Sequence, residues 1–392
     1  MPNSVEPDIL NGQFYLQGGI SLPTLEKMGG TRLNRPQRKK SPLRKVGFAF
    51  YNILVVLSAI IVGVYVAWNL LVKPPEITPD PPAASTQAPE IPADISTTDP
   101  SASTEDPIVP EEPVPVRREG VYTFALLGKD KESGNTDTII VVTYDTAEQK
   151  IGMVSIPRDT VVKRTWSKNP KINGAYAMSG PDTLKDEIEQ TFGIPIDYYI
   201  WINLKGFIAM VDLLGGVDVY IPEDMNYDDP YQDLHIHYTK GNHHLNGQQA
   251  MEVVRFRHNN DADGGGGYND EGRAQMQRQV LVALAKKVIS LNSIAKVNQY
   301  LDVFRTYVKT DLSASDMAWF ATKALGVDLS TGIQQGALTG RSDSYYKGYS
   351  WCYTYKAEDI LPTLNQLLNP YDMDLTAEDL DLPKASGYHF NY

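Results

Sequence analysis

The strongest constraint in this sequence is a long uncharged stretch, which runs from Val46 to Val72. A bilayer core of roughly 30 Å needs about 20 helical residues, so this stretch predicts one membrane-spanning helix. Basic residues crowd the chain before it, from Arg32 to Lys45, whereas only Lys73 follows closely. The positive-inside rule therefore predicts a cytoplasmic tail over 1–45 and an extracytoplasmic remainder. A cleaved signal peptide is the alternative, but its apolar run is usually only about 7–15 residues.

The amino-acid composition indicates where in the cell the protein lies and which class of partner it does not bind. A single cysteine, Cys352, excludes an intramolecular disulfide framework. This is more typical of a Gram-positive bacterial surface than of a eukaryotic exterior. The net charge is −12 despite the basic tail, so the outer part is acidic. Because sequence-independent nucleic-acid binding depends on Lys and Arg that neutralise phosphates, no nucleic-acid partner is expected.

The segment over 73–117 is rich in proline, acidic residues, serine and threonine. It has too little apolar surface to offset the entropy of ordering, so it is predicted to be a disordered extracytoplasmic linker. The remaining residues, 118–392, are then one extracytoplasmic domain.

Strand and helix patterns alternate along this outer domain and predict an α/β fold, namely an α-β-α sandwich with a central mixed sheet. The predicted strands are Tyr122–Leu127, Thr138–Tyr144, Ile151–Ile156, Tyr198–Ile202, Val217–Ile221 and Val253–Arg257. The predicted helices are one opened by Ser179-Gly-Pro-Asp and running to about Phe192, then Leu204–Leu214, Arg273–Ile289, 297–306 and 315–325.

Two aspartates flank one loop between the first two predicted strands. They are Asp130 and Asp137, and we expect them to be close enough to share a divalent cation such as Mg²⁺. Two solvated loop carboxylates are the alternative. A third charged motif, Arg158-Asp159, follows the next strand and is either a plain ion pair or part of the same site.

Further cationic and polar side chains are spaced to share one face of an element. Arg255 and Arg257 are two apart on the predicted strand Val253–Arg257, where both guanidinium groups would project from one face toward an anion. Arg273 and Gln277 are four apart on the long predicted helix, in line with an apolar stripe of Leu281, Leu284 and Val288. An acidic pair facing this set of arginines is suited to binding a cation and a diphosphate.

The order of these motifs resembles the LytR–CpsA–Psr (LCP) family of cell-wall ligases. The resemblance rests on LLGKD, TDTIIVVTYD, KIGMVSIPRDT, KINGAYA, GFIAMVDLLGGVDVYIP, LNGQQAMEVVRFRH and GRAQMQRQVLVAL, in this order over residues 121–291. The predicted tail, single span, linker and outer domain are also similar to the layout of that family. This chain departs from the family pattern at Met276, where the family often has an arginine.

The resemblance implies a Mg²⁺-dependent phosphotransferase of cell-wall biogenesis in the cell membrane. Such an enzyme moves a glycopolymer of the teichoic acid or capsule type from a polyprenyl diphosphate carrier to peptidoglycan, forming a phosphodiester. Asp130 and Asp137 would hold Mg²⁺, and either Asp137 or Asp159 would be the base. The groups that would bind the diphosphate are Arg158, Lys171, Arg255, Arg257, Arg273 and Gln277, with the polyprenyl tail in an apolar tunnel. A polyprenyl diphosphate hydrolase and a non-catalytic wall-binding or regulatory protein are the alternatives.

Three other features have simpler interpretations. The run from Asn259 to Asp270 partly fits a calcium loop, but we interpret it as a glycine-rich loop beside the site. His235 and His237 share a strand face, which is typical of exposed hairpin histidines and conceivable as a zinc site. The aromatic run over 345–355 predicts a strand packed on the domain, with glycan stacking as the alternative.

Overall fold

The computed structural model describes residues 58, 72–77, 114–129, 135–260, 267–268, 270–289, 297–384 and 386–387. Among these residues no helix is both long and apolar enough to cross a membrane. Apart from Ser58 and Val72, the span predicted over 46–72 lies outside the described residues, as do the basic tail and most of the predicted linker. The elements given below belong to one compact unit, Ala67–Tyr392.

The described part of the chain alternates strands and helices. The strands are β1 (Val121–Lys129), β2 (Thr138–Asp145), β3 (Lys150–Ile156), β4 (Tyr198–Asn203), β5 (Val217–Ile221), β6 (Met225–Asp229), β7 (Leu234–Tyr238), β8 (Gly241–Leu245), β9 (Val308–Thr310), β10 (Ile333–Ala337), β11 (Arg341–Tyr346), β12 (Tyr349–Thr354) and β13 (Ser386–Gly387). The helices are α1 (Ala175–Ser179), α2 (Pro181–Phe192), α3 (Leu204–Leu213), α4 (Gly247–Arg255), α5 (Asp270–Ile289), α6 (Val297–Tyr307), α7 (Ala314–Ala324) and α8 (Ala357–Leu367).

Six strands form the central sheet in the order β10-β3-β2-β1-β4-β9. The pairs β1–β4 and β10–β3 are parallel, whereas β1–β2, β2–β3 and β4–β9 are antiparallel. The predicted α/β fold with a central mixed sheet is therefore confirmed.

Helices cover both faces of this sheet because its central strands are apolar on both sides. On one face, Ala125 and Leu127 of β1 pack with α2 and α8 in a buried core. On the other face, Tyr122 and Phe124 pack against α7 through Trp319 and Phe320, with ring centroids 4.9–5.4 Å apart. Further along this second face of β1, the packing of α7 ends and a cavity begins.

Strands β5 and β8 form a two-stranded antiparallel sheet, and β6 and β7 form another. Both sheets pack against α3, α4 and α5. Their buried residues form a second core, which includes Ile221, Ile236, Phe256 and Met276. Met276 is only 2% exposed. The side chain at the position where the family often has an arginine therefore belongs to an apolar core.

The prediction of a strand over Val253–Arg257 is wrong. Residues 253–255 end α4, which begins at a capping box formed by Asn246 and Gln249 and has Phe256 as its C-cap. Its buried residues Ala250, Met251 and Val253 follow helical spacing. Arg255 and Arg257 therefore lie on either side of the helix end and not on one strand face.

The last residue of the predicted span and the residues just after it pack on the outer domain. Pro75 is buried, and its carbonyl accepts a hydrogen bond from the Tyr122 hydroxyl at 3.3 Å. Val72 and Ile77 pack against the same aromatic cluster of β1 and α7. Both ends of the predicted linker contact the domain, since Arg117 pairs with Asp197 at 2.5 Å.

Candidate active site at the edge of the sheet

Three neighbouring strand ends bring the predicted charged motifs together. Gly128 of β1 pairs with Thr138 at the start of β2, and the Asp137 amide donates to the Gly128 carbonyl at 3.0 Å. Ile156 at the end of β3 pairs with Ile139 of β2, which places Arg158 beside Asp137. Arg158 Nη1 lies 2.8 Å from Asp137 Oδ1. The fold thus explains why two motifs far apart in the chain share one site.

A second carboxylate and a lysine extend this network. Arg158 Nε lies 3.4 Å from Asp159 Oδ2, and Lys171 Nζ lies 2.9 Å from Asp159 Oδ1. The segment with Lys171 is fixed to the strand end, because the Asn173 amide donates to the Arg158 carbonyl at 3.2 Å. Asp137, Arg158, Asp159 and Lys171 therefore form one chain of ion pairs that is partly open to solvent.

An apolar cavity of about 510 Å³, which we call the apolar chamber, opens beside Asp137. Its floor is the second face of the sheet, where Ile140, Leu126 and Ile200 stand side by side on β2, β1 and β4. Its roof comes from α3, α5 and α6, including Phe207 and Leu281. This cavity has the place and character of the predicted tunnel.

Polar groups lie at the end of the apolar chamber that faces Asp137. Arg255 and Arg257 line it, and Arg255 donates a hydrogen bond to the Gln232 side chain. On α5, Arg273 is 9% exposed, and Gln277 accepts from the Thr138 hydroxyl at 3.3 Å and donates to the Val254 carbonyl at 3.3 Å. An apolar stripe is predicted to continue inward from them along α5. Leu281 and Leu284 line the chamber as predicted, whereas Val288 is 47% exposed, so the prediction for Val288 is wrong.

A second cavity, which we call the polar cleft, lies on the other side of Asp137 and has a volume of about 530 Å³. The four residues that line both cavities are Asp137, Thr138, Arg273 and Gln277. The side chains that line only the polar cleft include Ser155, Arg158, Asp159, Lys171, Glu271, Arg278, Ser342, Trp351 and Tyr353. An apolar and a polar cavity therefore meet at the residues predicted to bind a diphosphate.

Arg278 is a residue of this site that the sequence patterns did not indicate. It is 5% exposed, and its Nη1 donates to the Ser155 hydroxyl of β3 at 2.8 Å. Within the described ranges no carboxylate pairs with it, and its Nε has no hydrogen-bond partner. Burial lowers the pKa of the Arg278 guanidinium, and the nearby Glu271 carboxylate offsets part of this effect. It lies directly after Gln277 on a different helical face, so the spacing of Arg273 and Gln277 does not indicate it.

The oxygens around Asp137 suit a hard cation. Asp130, the other predicted ligand, lies outside the described residues. The Thr136 hydroxyl, next to Asp137, is buried and has no hydrogen-bond partner among the residues described. Carboxylate and hydroxyl oxygens of this kind are ligands that Mg²⁺ accepts.

The hairpin β6–β7 brings three possible metal ligands together, namely Asp228, His235 and His237. Their ligand atoms all lie within 4.8 Å of one another, and all three residues are exposed. His235 Nδ1 lies 2.5 Å from Asp228 Oδ1, and this contact raises the pKa of His235 above its ordinary value. They do not line either cavity.

The side-chain oxygen of Asn259, which would be the first ligand of a calcium loop, forms a hydrogen bond instead. The Asn259 side chain accepts from the Asn226 amide at 2.6 Å, so this oxygen fixes the loop to β6. The stretch over 261–266 lies outside the described residues.

Comparison with known proteins agrees with the motif order. Residues 87–369 match the LytR_cpsA_psr family. The regulatory protein MsrR of Staphylococcus aureus is 34% identical over 206 residues, which are 51% of this chain and 59% of MsrR. A Bacillus cereus protein named polyisoprenyl-teichoic acid–peptidoglycan teichoic acid transferase TagU is 35% identical over 210 residues, which are 53% of this chain and 65% of TagU. Both matches span less than two thirds of the relative.

The fold is shared with solved structures. The crystal structure of B. subtilis TagV has a TM-score of 0.53 and 27% identity, and the match covers 68% of this chain and 100% of TagV. Together with the family match, which spans well over half of the sequence, this likeness identifies the protein: the chain belongs to the LytR_cpsA_psr family.

Proposed function

We propose that this protein is a Mg²⁺-dependent phosphotransferase that transfers a glycopolymer from a polyprenyl diphosphate carrier to peptidoglycan. The observation that carries the proposal is the meeting of the two cavities at Asp137, Thr138, Arg273 and Gln277. A carrier of this kind has a long apolar tail joined to a charged head, and the apolar chamber beside the arginines matches both parts. The printed name of the related TagU supports the same class of reaction.

The polyprenyl tail is expected to lie in the apolar chamber, where burial of apolar surface provides most of the affinity. The diphosphate is then expected among Arg158, which lines the polar cleft, Arg255 and Arg257, which line the apolar chamber, and Arg273, which lines both. Guanidinium groups bind phosphate oxygens through two hydrogen bonds at once, so they both hold and orient the head group. Lys171 adds a cation through its pair with Asp159.

The acceptor hydroxyl attacks the phosphorus that bears the glycopolymer, and the bond from this phosphorus to the polyprenyl phosphate breaks. The hydroxyl proton passes to Asp137 or Asp159, the two carboxylates that pair with Arg158. Polyprenyl phosphate leaves with the electron pair, and the arginines stabilise its negative charge. Asp137, with Asp130, would hold Mg²⁺, which supplies further positive charge to the diphosphate when bound.

The protein is further proposed to be anchored in the membrane of a Gram-positive bacterium by the helix over 46–72, with the domain outside. This location supports the function because a polyprenyl-linked donor is confined to the membrane. The anchor also accounts for the basic residues from Arg32 to Lys45 on its inner side.

Mass analysis of lipid that co-purifies with the full chain tests the first half of the proposal. Polyprenyl phosphates are expected with the native protein and absent when both Arg255 and Arg257 are replaced by alanine. A native protein that neither retains nor binds polyprenyl phosphate would contradict the proposal.

The second half is tested by incubating donor with and without a glycan acceptor. A phosphodiester-linked product that requires acceptor is expected, whereas release of polyprenyl phosphate into water alone would indicate a hydrolase. A non-catalytic regulatory protein, as the name of MsrR suggests for that relative, would keep its cellular role after Asp137→Ala.

A further inference from the structure

Trp351, at the mouth of the polar cleft, is exposed in an unfavourable backbone conformation. It is 72% exposed, although an indole gains more from burial than almost any other side chain. Its φ is +55°, in the left-handed region that bulky side chains rarely adopt. Such an outlier persists only where its neighbours hold it in place, and it is a reason to look for function.

The neighbours of Trp351 do hold it in place. Cys352, the next residue, is fully buried. The Tyr353 amide donates to the Asp159 carbonyl at 2.8 Å, and the Val161 amide donates to the Tyr353 carbonyl at 3.0 Å. Strand β12 is thereby joined to the loop that contains Arg158 and Asp159. The backbone that carries the indole is consequently fixed beside the ion-pair network.

The walls of the polar cleft suit a saccharide. Ser342, Glu271 and Lys171 offer a hydroxyl, a carboxylate and an ammonium group. Arg278 also lines the cleft and is almost fully buried, and among the described residues it donates only to Ser155, so its guanidinium keeps hydrogen-bonding capacity for a ligand. A sugar ring matches both kinds of group. Its hydroxyls form hydrogen bonds around the edge of the ring, and its C–H face stacks on an aromatic side chain.

The direction from which the acceptor hydroxyl attacks the phosphorus indicates which saccharide the polar cleft binds. In phosphoryl transfer the attacking and leaving oxygens lie roughly in line across the phosphorus. If the leaving polyprenyl phosphate extends into the apolar chamber, the attacking hydroxyl must approach from the opposite side of the shared residues Asp137 and Gln277. The polar cleft lies on that side.

We propose that the polar cleft binds the acceptor glycan strand, and that Trp351 stacks on one of its sugar rings while Arg278 donates hydrogen bonds to it. This inference rests on the proposed transferase function and adds the acceptor site to it. The hydroxyl of a stacked strand is then presented to the phosphorus, its proton going to Asp137 or Asp159, as polyprenyl phosphate departs.

The decisive variant is Trp351→Gly, because glycine removes the ring and also accepts the positive φ without strain. With the full chain and a polyprenyl-diphosphate donor, we expect the apparent KM for uncrosslinked peptidoglycan strands to rise about five- to tenfold, the scale of one stacking contact. The KM for donor and the amount of co-purifying lipid are expected to stay unchanged. Trp351→Phe should recover most of the loss, since it retains an aromatic face.

Trp166→Ala is the matched control, since Trp166 is 47% exposed but lies outside the polar cleft. It should leave both KM values unchanged. A rise in the donor KM for Trp351→Gly, with the acceptor KM unchanged, would overturn the acceptor assignment and place a donor sugar on the indole. An unchanged acceptor KM with unchanged donor KM would overturn the inference altogether.

Direct binding separates this inference from the transferase proposal. Calorimetry with muramic acid-containing glycan fragments, without donor, should show binding to the native chain that Trp351→Gly weakens by the same factor. Binding through Trp351 in a protein without transfer activity would contradict only the transferase. Transfer activity without fragment binding, and with no effect of Trp351→Gly, would contradict only the acceptor site.

Discussion

Arg158 Nη1 lies 2.8 Å from Asp137 Oδ1, although the two residues are 21 positions apart in the chain. Their side chains are 32% and 22% exposed, so solvent screens the pair and its net contribution to stability is small. The pair lies where the apolar chamber and the polar cleft meet. We therefore expect it to contribute to activity far more than to folding.

Asp137→Asn tests this expectation with an almost isosteric change. Transfer should fall at least about 100-fold, because the variant lacks a carboxylate for proton transfer and cation binding. The free energy of unfolding should change by less than about 1 kcal/mol, because the pair is partly exposed. Transfer assays and denaturant titrations of the same preparations measure the two effects. Asp218→Asn, which removes an exposed carboxylate paired with His244, is the control and should affect neither.

Two leucines on opposite sides of the sheet distinguish the chamber from the core. Leu126 of β1 lines the apolar chamber, whereas Leu184 of α2 is 1% exposed in the core on the other face and does not line the chamber. Leu126→Trp should fill the chamber and abolish co-purification of polyprenyl lipid while the melting temperature changes little. Leu184→Ala should instead cost about 2–5 kcal/mol of stability and leave the chamber open. Lipid retained at native levels by a folded Leu126→Trp protein would show that the tail binds elsewhere.

The buried ion pair of Arg164 with Glu187 is expected to matter for stability. Two hydrogen bonds of 2.7 Å join the groups, and Arg164 also donates to the Asn169 carbonyl at 2.6 Å. Glu187→Ala leaves the arginine buried without its carboxylate and should cost about 3–5 kcal/mol. Replacing both with apolar residues should cost much less. Chemical denaturation of the single and double variants measures the difference, and equal losses in the two would count against a buried-charge penalty.

The hairpin histidine gives a pH-dependent signal. The hydrogen bond to Asp228 raises the pKa of His235 above 6.5 and lowers the pKa of Asp228. A raised folded-state pKa means that any stabilisation is complete below the unfolded value and is lost as the pH rises through the folded value. An NMR titration of the His235 ring should therefore have its midpoint above 6.5, and Asp228→Asn should return it toward 6.5. An unshifted midpoint in the native chain would mean that the contact does not form in solution.

Much of the sheet and of the candidate site could be predicted from sequence because both depend on local patterns. The strands from β1 to β4 have β-branched or apolar runs that end at Gly, Pro or polar turns, and these ends carry Asp137 and Arg158. Helix α2 begins with Pro181 and ends before Gly193, whose φ is +68°, as its sequence predicts.

The remaining features depend on contacts between distant segments. Residues 253–257 are β-branched and aromatic enough to resemble a strand, but the capping box at Asn246 and the core beneath α4 favour a helix. Arg278 acquires its role only because α5 crosses β3 at Ser155. Trp351 is one of several aromatics in a run, and its positive φ at the irregular register of β11 and β12, together with its 72% exposure, distinguishes it from the more buried Tyr353.

The packing of residues 72–77 on the aromatic cluster of β1 and α7 changes how the reach of this domain should be understood. If the helix over 46–72 spans the bilayer, the tether between membrane and domain is a few residues long, because Pro75 is already buried against Tyr122. The described residues on either side of 78–113 both contact the domain, Pro75 at Tyr122 and Arg117 at Asp197. The length of 78–113 therefore does not set the number of residues between the predicted span and the buried Pro75.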